Sequence, residues 1–501
     1  MLFNSVEFLF GFLPIALVIF YLLARFASRD SAMYWLVFAS LVFYAWWNWH
    51  YVFLIIFSIG FNFYFGQLIG RLNLDGRSGL ARHAMLLGVA VNLGLLGYFK
   101  YADFFISNLN FLFGFGMAEM KIILPIAISF FTFQQIAYLV DAYEGEASRS
   151  TFIEYCLFVS FFPQLLAGPI VHHSDVIPQF RERTFGRFNP EMLEEGLTLF
   201  FLGMFKKVVL ADTFATYSDP VFAAAALEGG VTLFESWVAT LSYTLQIYFD
   251  FSGYSDMAIG LGLACGIRLP INFDSPYRSK SIIEFWRRWH ITLSAFLRDY
   301  LYIQLGGNRA GTVRRYLNLM ITMLLGGLWH GASWNFVVWG GLHGFYLMVN
   351  HLWRHLTAGI TLGGRFLRSV AVGAGALLTL ASVILAWVFF RAQGFPAAVD
   401  MLQGMAGLNG VALPRAFGRY FPQLSDWSLN ESASTVFSQS EFAGVLGAVF
   451  LLLAGYLVVC FTKNLYEMTD NRRRWLLGLT FAFTMQQIFF GQSEEFIYFQ
   501  F

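Results

Sequence analysis

Apolar runs of helical length recur from the start of this chain to its end, and they leave it few ways to fold. Fourteen of them lie near 6–24, 32–48, 51–70, 84–99, 121–140, 151–169, 193–211, 232–250, 253–266, 316–330, 333–350, 367–390, 441–461 and 475–490. A helix needs about 20 mostly apolar residues to span a bilayer core. Lipid offers no hydrogen bonds, so a spanning backbone must satisfy its own amides. The pattern predicts an all-α polytopic membrane protein of roughly ten to twelve spans. The short runs 253–266 and 316–330 are expected to re-enter or to pack inside the helical shell. Charged residues make up 13% of the chain, against roughly 25% in soluble domains. Too little polar surface remains to coat a water-soluble particle.

The loops orient the spans. Arg25 and Arg29 follow the first run, Arg71, Arg77 and Arg82 the third, and Arg472, Arg473 and Arg474 precede the last. The positive-inside rule places these clusters in the cytoplasm. No Lys or Arg precedes the first run, which continues to Leu23, so it reads as a retained helix and not as a signal peptide. The stretch 409–440 is poor in cations and rich in Ser, Asn and Gly, as a periplasmic loop would be. We read residues 1–501 as a single membrane domain.

The segment 268–315 interrupts the apolar pattern with nine Lys and Arg against three carboxylates, a local charge of +6 where the whole chain carries +1. It is expected on the cytoplasmic side. Ile282, Phe285, Trp286, Trp289, Leu293, Phe296 and Leu297 fall at amphipathic helical spacing, which predicts a helix lying in the membrane interface. The charge has two readings: ordinary topogenic residues, or a mouth for a phosphate-bearing donor. On the second reading Arg287, Arg288 and Arg298 would bind that donor. The near-neutral total gives no reason to expect a nucleic acid partner.

Ionisable side chains within apolar runs are costly, and each is a candidate for function. His330 stands in NLMITMLLGGLWHGASWNFVVWGGLHG, flanked by Gly326, Gly327 and Gly331. It is fifteen residues beyond Arg315, roughly 22 Å along a helix, and therefore well past the middle of a core about 30 Å thick. A neutral imidazole there can take a proton from a hydroxyl; a histidine bridging two helices is the structural alternative. His290, in EFWRRWHITLSAFLRDY, is the second candidate, as a donor-side group or as an interface histidine among tryptophans. Lys206 and Lys207 face a polar cavity or lipid headgroups, and Asp250 and Asp256 are expected to pair with them or with an arginine. The pair His172–His173 reads as a loop at a helix end. His330 and His343 are too far apart to share one helical face as metal ligands, and no metal site is expected. Cys156, Cys265 and Cys460 lie far apart and read as small buried hydrophobes. No P-loop, Rossmann fingerprint or G-x-S-x-G elbow occurs.

The strings FFPQLLAGPIV, QIYFDFSGYSDMAIGLGLACGIRLPINFDSPY, FWRRWHITLSAFLRDYLYIQLGGNR and LLGGLWHGASWNFVVWGGLHG, with the opening MLFNSVEFLFGFLP and the ending EEFIYFQF, resemble the membrane-bound O-acyltransferase (MBOAT) family. The likeness is greatest to its bacterial polysaccharide-modifying branch. The resemblance implies a ring of membrane helices around a thin centre, where opposed funnels meet at a histidine. That histidine corresponds to His330, and the second family histidine to His290. It implies acetyl transfer, with acetyl-CoA as donor substrate and no bound cofactor, across the bacterial inner membrane. The exported polysaccharide is expected to be alginate, with a periplasmic SGNH-type acetyltransferase as partner. Peptidoglycan or cellulose O-acetylation and D-alanyl transfer to teichoic acid are the neighbouring alternatives. A transporter or channel is the non-enzyme alternative; it predicts inverted repeats, and none is visible in the sequence.

Overall fold

A computed structural model of the protein describes residues 1–145, 150–227, 230–309, 311–359, 363–413, 422–423, 442–491 and 496–497. Every regular element among them is helical. Four described helices are long and apolar enough to cross a membrane by length and composition: Glu7–Phe26, His50–Leu74, Ser78–Phe113 and Arg365–Arg391. They correspond to the runs at 6–24, 51–70, 84–99 and 367–390. Most of the expected 409–440 loop lies outside the described residues.

Other runs depart from their simplest reading. The runs 232–250 and 253–266 form one helix of 32 residues, Leu233–Ala264. The second is therefore not a separate re-entrant piece, because Ser252 and Gly253 do not break the turn. Conversely, 151–169 splits into Phe152–Ser160 and Phe162–Leu165, with Pro163 in the first turn of the second piece. The run 121–140 becomes helical only at Ile128, after Pro125 and a left-handed Ala127 at φ 64°.

The chain divides into two compact units: Met1–Phe205 with Ser252–Asn272 and Thr469–Gln500, and Lys206–Phe251 with Phe273–Met468. In the first, Gly196 and Gly260 sit where an added Cβ would collide with the facing backbone, so the helices Pro190–Phe205 and Leu233–Ala264 approach closely there. Arg473 bonds to Glu195 at 2.9 Å, joining the last helix, Asp470–Phe490, to the same element.

The second unit carries the candidate site on five helices: α1 (Ile282–Arg288), α2 (Ile291–Leu297), α3 (Thr312–His330), α4 (Trp334–Leu356) and α5 (Arg365–Arg391). α3 and α4 form an antiparallel hairpin whose tip is Gly331–Ser333, with the Ser333 hydroxyl accepting from the Asn335 amide at the start of α4. Gly327 and Gly340 meet at the crossing, where a Cβ on Gly327 would lie 3.1 Å from the Gly340 Cα. At the other end, the buried Asn318 amide donates to the carbonyls of Leu305 and Gly307 at 3.1 and 3.2 Å, holding the preceding loop against α3.

The amphipathic segment differs from expectation in two ways. It is broken: His290 takes a left-handed φ of 45° and separates α1 from α2. Its apolar residues Ile282, Phe285, Trp286, Trp289, Leu293, Phe296 and Leu297 are all buried in protein. An apolar stripe has the same spacing whether it meets lipid or a helix, so periodicity alone could not name its partner.

Candidate active site

His330 is the last residue of α3, at the hairpin tip, and is 5% exposed. The chain leaves the helix at once, since Gly331 is extended and a Cβ there would strike the Phe336 ring. Three aromatic rings enclose the imidazole, with centroids at 5.0 Å for Trp329, 5.0 Å for Trp339 and 5.2 Å for Phe390. The cage supplies one face each from α3, α4 and α5.

His290 belongs to the same cluster. It is fully buried, with its ring 6.3 Å from Trp329 and 4.7 Å from Phe251. Trp329 thus lies between the two predicted histidines. The structure brings them into one aromatic core, although sequence placed one deep in the membrane and the other at its surface. The break at His290 is the reason, because it turns the side chain inward where a continuous amphipathic helix would have left it at an edge.

A third histidine, which sequence reasoning weighed only as a metal ligand, joins them. His343 on α4 is fully buried, 4.7 Å from Trp339 and 5.1 Å from Trp286. The available signal was its position four residues after Trp339, one helical turn along the same face, inside an apolar run.

The basic segment opens onto a cavity of about 1150 Å³ lined by α1, α4 and α5. Lys280, Arg287, Arg288, Arg354 and Arg368 line it, with Asp274 and Glu284 as its carboxylates among the described residues. Both carboxylates are engaged by Arg288, which lies 2.9 Å from Asp274 and 3.0 Å from Glu284. Arg288 is therefore a clamp, its charge already matched. Lys280, Arg287, Arg354 and Arg368 make no ion pair among the described residues, and their charge faces the cavity uncompensated. Arg298 is elsewhere. It turns to its neighbour Asp299 at 2.7 Å, whose hydrogen bonds hold its guanidinium above the usual value. Of the three arginines expected at a donor mouth, the cavity gathers two, and only Arg287 has charge to offer.

The remaining polar residues find structural partners. Lys207 lies 2.7 Å from Asp212 and 2.9 Å from Asp250, all three nearly buried. Lys206 rests over the Tyr248 ring. His173 is not in a loop: it begins the helix His173–Arg181, buried 3.2 Å from Asp141. Among the described residues, no three His, Cys, Asp or Glu side chains gather as a metal ion would require.

The model for the membrane-bound O-acyltransferase family matches residues 93–391. A peptidoglycan O-acetyltransferase of Helicobacter pylori is 39% identical, covering 100% of this chain and 98% of that protein. A probable alginate O-acetylase, AlgI, of Pseudomonas aeruginosa is 43% identical over 81% of this chain and 75% of its own length. A teichoic acid D-alanyltransferase of Streptococcus thermophilus is 31% identical over 46% of this chain. All five site helices fall within the matched residues, α5 to its last position, and the chain belongs to the membrane-bound O-acyltransferase family.

Proposed function

We propose that this O-acetyltransferase takes an acetyl group from acetyl-CoA on the cytoplasmic side of the inner membrane and passes it to hydroxyls of an exported glycan, with His330 as the reacting group. The observation that carries the reading is the buried His330 at the hairpin tip, in the same helix set as a cavity with four uncompensated cations. Phosphates suit those cations, and coenzyme A is too polar to cross lipid while the acceptor is outside. An enzyme spanning the bilayer meets both conditions. As general base, His330 takes the acceptor hydroxyl proton while the oxygen attacks the thioester carbonyl. The carbon–sulfur bond then breaks, and the proton passes to the leaving thiolate. As nucleophile, it instead carries the acetyl as an acyl-imidazole between the two half-reactions.

Alginate is the acceptor to which the sequence strings point. The match to the Helicobacter protein along its whole length favours peptidoglycan as a second reading. A periplasmic SGNH-type acetyltransferase would complete the delivery. The test is the O-acetyl content of alginate and of peptidoglycan from cells carrying either the wild type or His330→Ala. The variant is expected to lose transfer by at least about a hundredfold, on whichever polymer the wild type modifies. Acetylation at the wild-type level would overturn the assignment of His330. Labelled acetyl trapped on the wild type in a single turnover, and missing from the variant, would select the covalent route.

A further inference from the structure

A second cavity, of about 980 Å³, lies wholly within the first compact unit. Two helices wall it, Leu13–Phe26 and Pro190–Phe205. Leu193, Leu197 and Phe201, four residues apart on one helical face, line it from the second helix. Leu13 and Leu17 do so from the first, and Val18 and Leu22, 57% and 49% exposed, mark its open side. Tyr21 adds a ring, since its hydroxyl is spent on the Ala264 carbonyl at 2.7 Å. The first helix runs toward Arg25 and the second begins just after Arg187, so the two cations that line the cavity share one end of it.

That pairing is built by the backbone. Gly186 has a left-handed φ of 74°, and a Cβ on it would lie 2.6 Å from the Ala24 Cβ. Only glycine lets the loop close onto the end of the first helix and bring Arg187 to the same cavity as Arg25. Neither arginine makes an ion pair among the described residues. The carboxylates nearby in sequence are turned elsewhere: Asp30 lies 3.8 Å from Arg29, Glu194 2.7 Å from Arg474 and Glu195 2.9 Å from Arg473. Glu191, in the first turn of the second helix, does not line the cavity. Two like charges gathered at one mouth repel, and an anion between them offsets that cost.

The dimensions name the anion. From Leu13 to Arg25 is twelve residues, about 18 Å of helix rise, whereas half of a bilayer core is about 15 Å. The groove is therefore one leaflet deep, with its cations at the end that the positive-inside rule assigns to the cytoplasm. We propose that it binds one anionic phospholipid of that leaflet, with an acyl chain along the apolar walls and its phosphate held by Arg25 and Arg187. Guanidinium groups match phosphate oxygens two to two, and basic pockets between membrane helices suit acidic headgroups. A free phosphate would leave the apolar walls unused. The site is independent of the acetyl-transfer reading.

The test is native mass spectrometry of the full chain released from nanodiscs made of equal parts phosphatidylglycerol and phosphatidylethanolamine. The wild type is expected to retain phosphatidylglycerol in preference. The double variant Arg25→Gln, Arg187→Gln should retain about tenfold less of it, and Arg25→Lys, Arg187→Lys should keep most of the preference. Arg71→Gln removes a cation from another basic loop and should change nothing; an equal loss there would reduce the effect to general surface charge and sink the proposal. Val18→Trp, which crowds the open side, should lower retention of both lipids. Retention of phosphatidylglycerol by the double glutamine variant within about twofold of the wild type overturns the site. So does displacement of the lipid by inorganic phosphate alone, which would make the mouth a simple anion site. A wild type that is dimeric without lipid and made monomeric by Val18→Trp would assign the groove to a second copy of the chain instead. Should the double variant not fold, Arg187→Gln, on an exposed loop residue, is judged by the same criteria.

Discussion

Lys206 and Lys207 are adjacent in sequence and differ in their surroundings. Lys207 is buried between two carboxylates, and Lys206 is half-buried over a tyrosine ring. Removing the cation from a buried ionic cluster leaves its carboxylates uncompensated, at a cost of about 3–5 kcal/mol. Lys207→Met is therefore expected not to accumulate as folded protein, and Lys207→Arg, which keeps the cation, to accumulate better; fluorescence-detected size-exclusion of membrane extracts separates the two outcomes. Equal behaviour would show that the cluster carries no such stability. The pairing of Asp250 with a lysine was legible in the sequence, but which lysine was not. Lys206–Ala211 form a π-helical turn, which adds a residue to the turn and rotates the side chains away from their α-helical faces. His330 was legible for a simpler reason: a histidine deep in an apolar run flanked by glycines has no cheap explanation. His343 was equally deep, but only its packing distinguishes a dry imidazole from a satisfied one.

At the level of elements, the hairpin α3–α4 sets the position of His330. Its crossing depends on Gly327 and Gly340, because a Cβ at Gly340 would overlap the Met323 carbonyl and lie 3.2 Å from the Gly327 Cα. Backbone cannot yield as a flexible side chain does. Gly340→Val is expected to force the helices apart, at about 1–3 kcal/mol or more of overpacking, and to shift Trp339, which abuts His330. The measurements are thermal stability in detergent and acetyl transfer, both of which should fall. Gly97→Val offers the contrast, since a Cβ there meets nothing within 4 Å, and both properties should hold. If Gly340→Val kept full stability and activity, close approach would not be what positions the site. The sequence shows the small residues and the helical runs on both sides, which suffice for a hairpin. It does not show the break between α1 and α2. Left-handed turns are usually marked by glycine, and here His290 occupies one, so the amphipathic spacing continues across the break and conceals it.

At the scale of the molecule, charge and aromatic residues mark the two ends of the spanning helix His50–Leu74. The helix His50–Leu74 has Trp46, Trp47 and Trp49 exposed just before its start, and Arg71 and Arg77 at its far end. Tryptophans favour the membrane–water interface, and cations favour the cytoplasmic loops. Between them Phe53, Ile56 and Phe57 are exposed on a helix of 25 residues, which suits lipid and would be unfavourable in water. This predicts that the tryptophan turn faces the periplasm and the loop after Leu74 the cytoplasm. With Cys156, Cys265 and Cys460 replaced by alanine, Trp49→Cys should react in intact spheroplasts with a maleimide that cannot cross lipid. Ser78→Cys and Thr357→Cys should react only after the membrane is opened, the latter because Arg354 and Arg368 bracket its loop. Labelling of Thr357→Cys from outside would invert α3 and α4. It would put the cations that line the cavity on the side away from the cytoplasm and would overturn the proposed cytoplasmic entry of the donor.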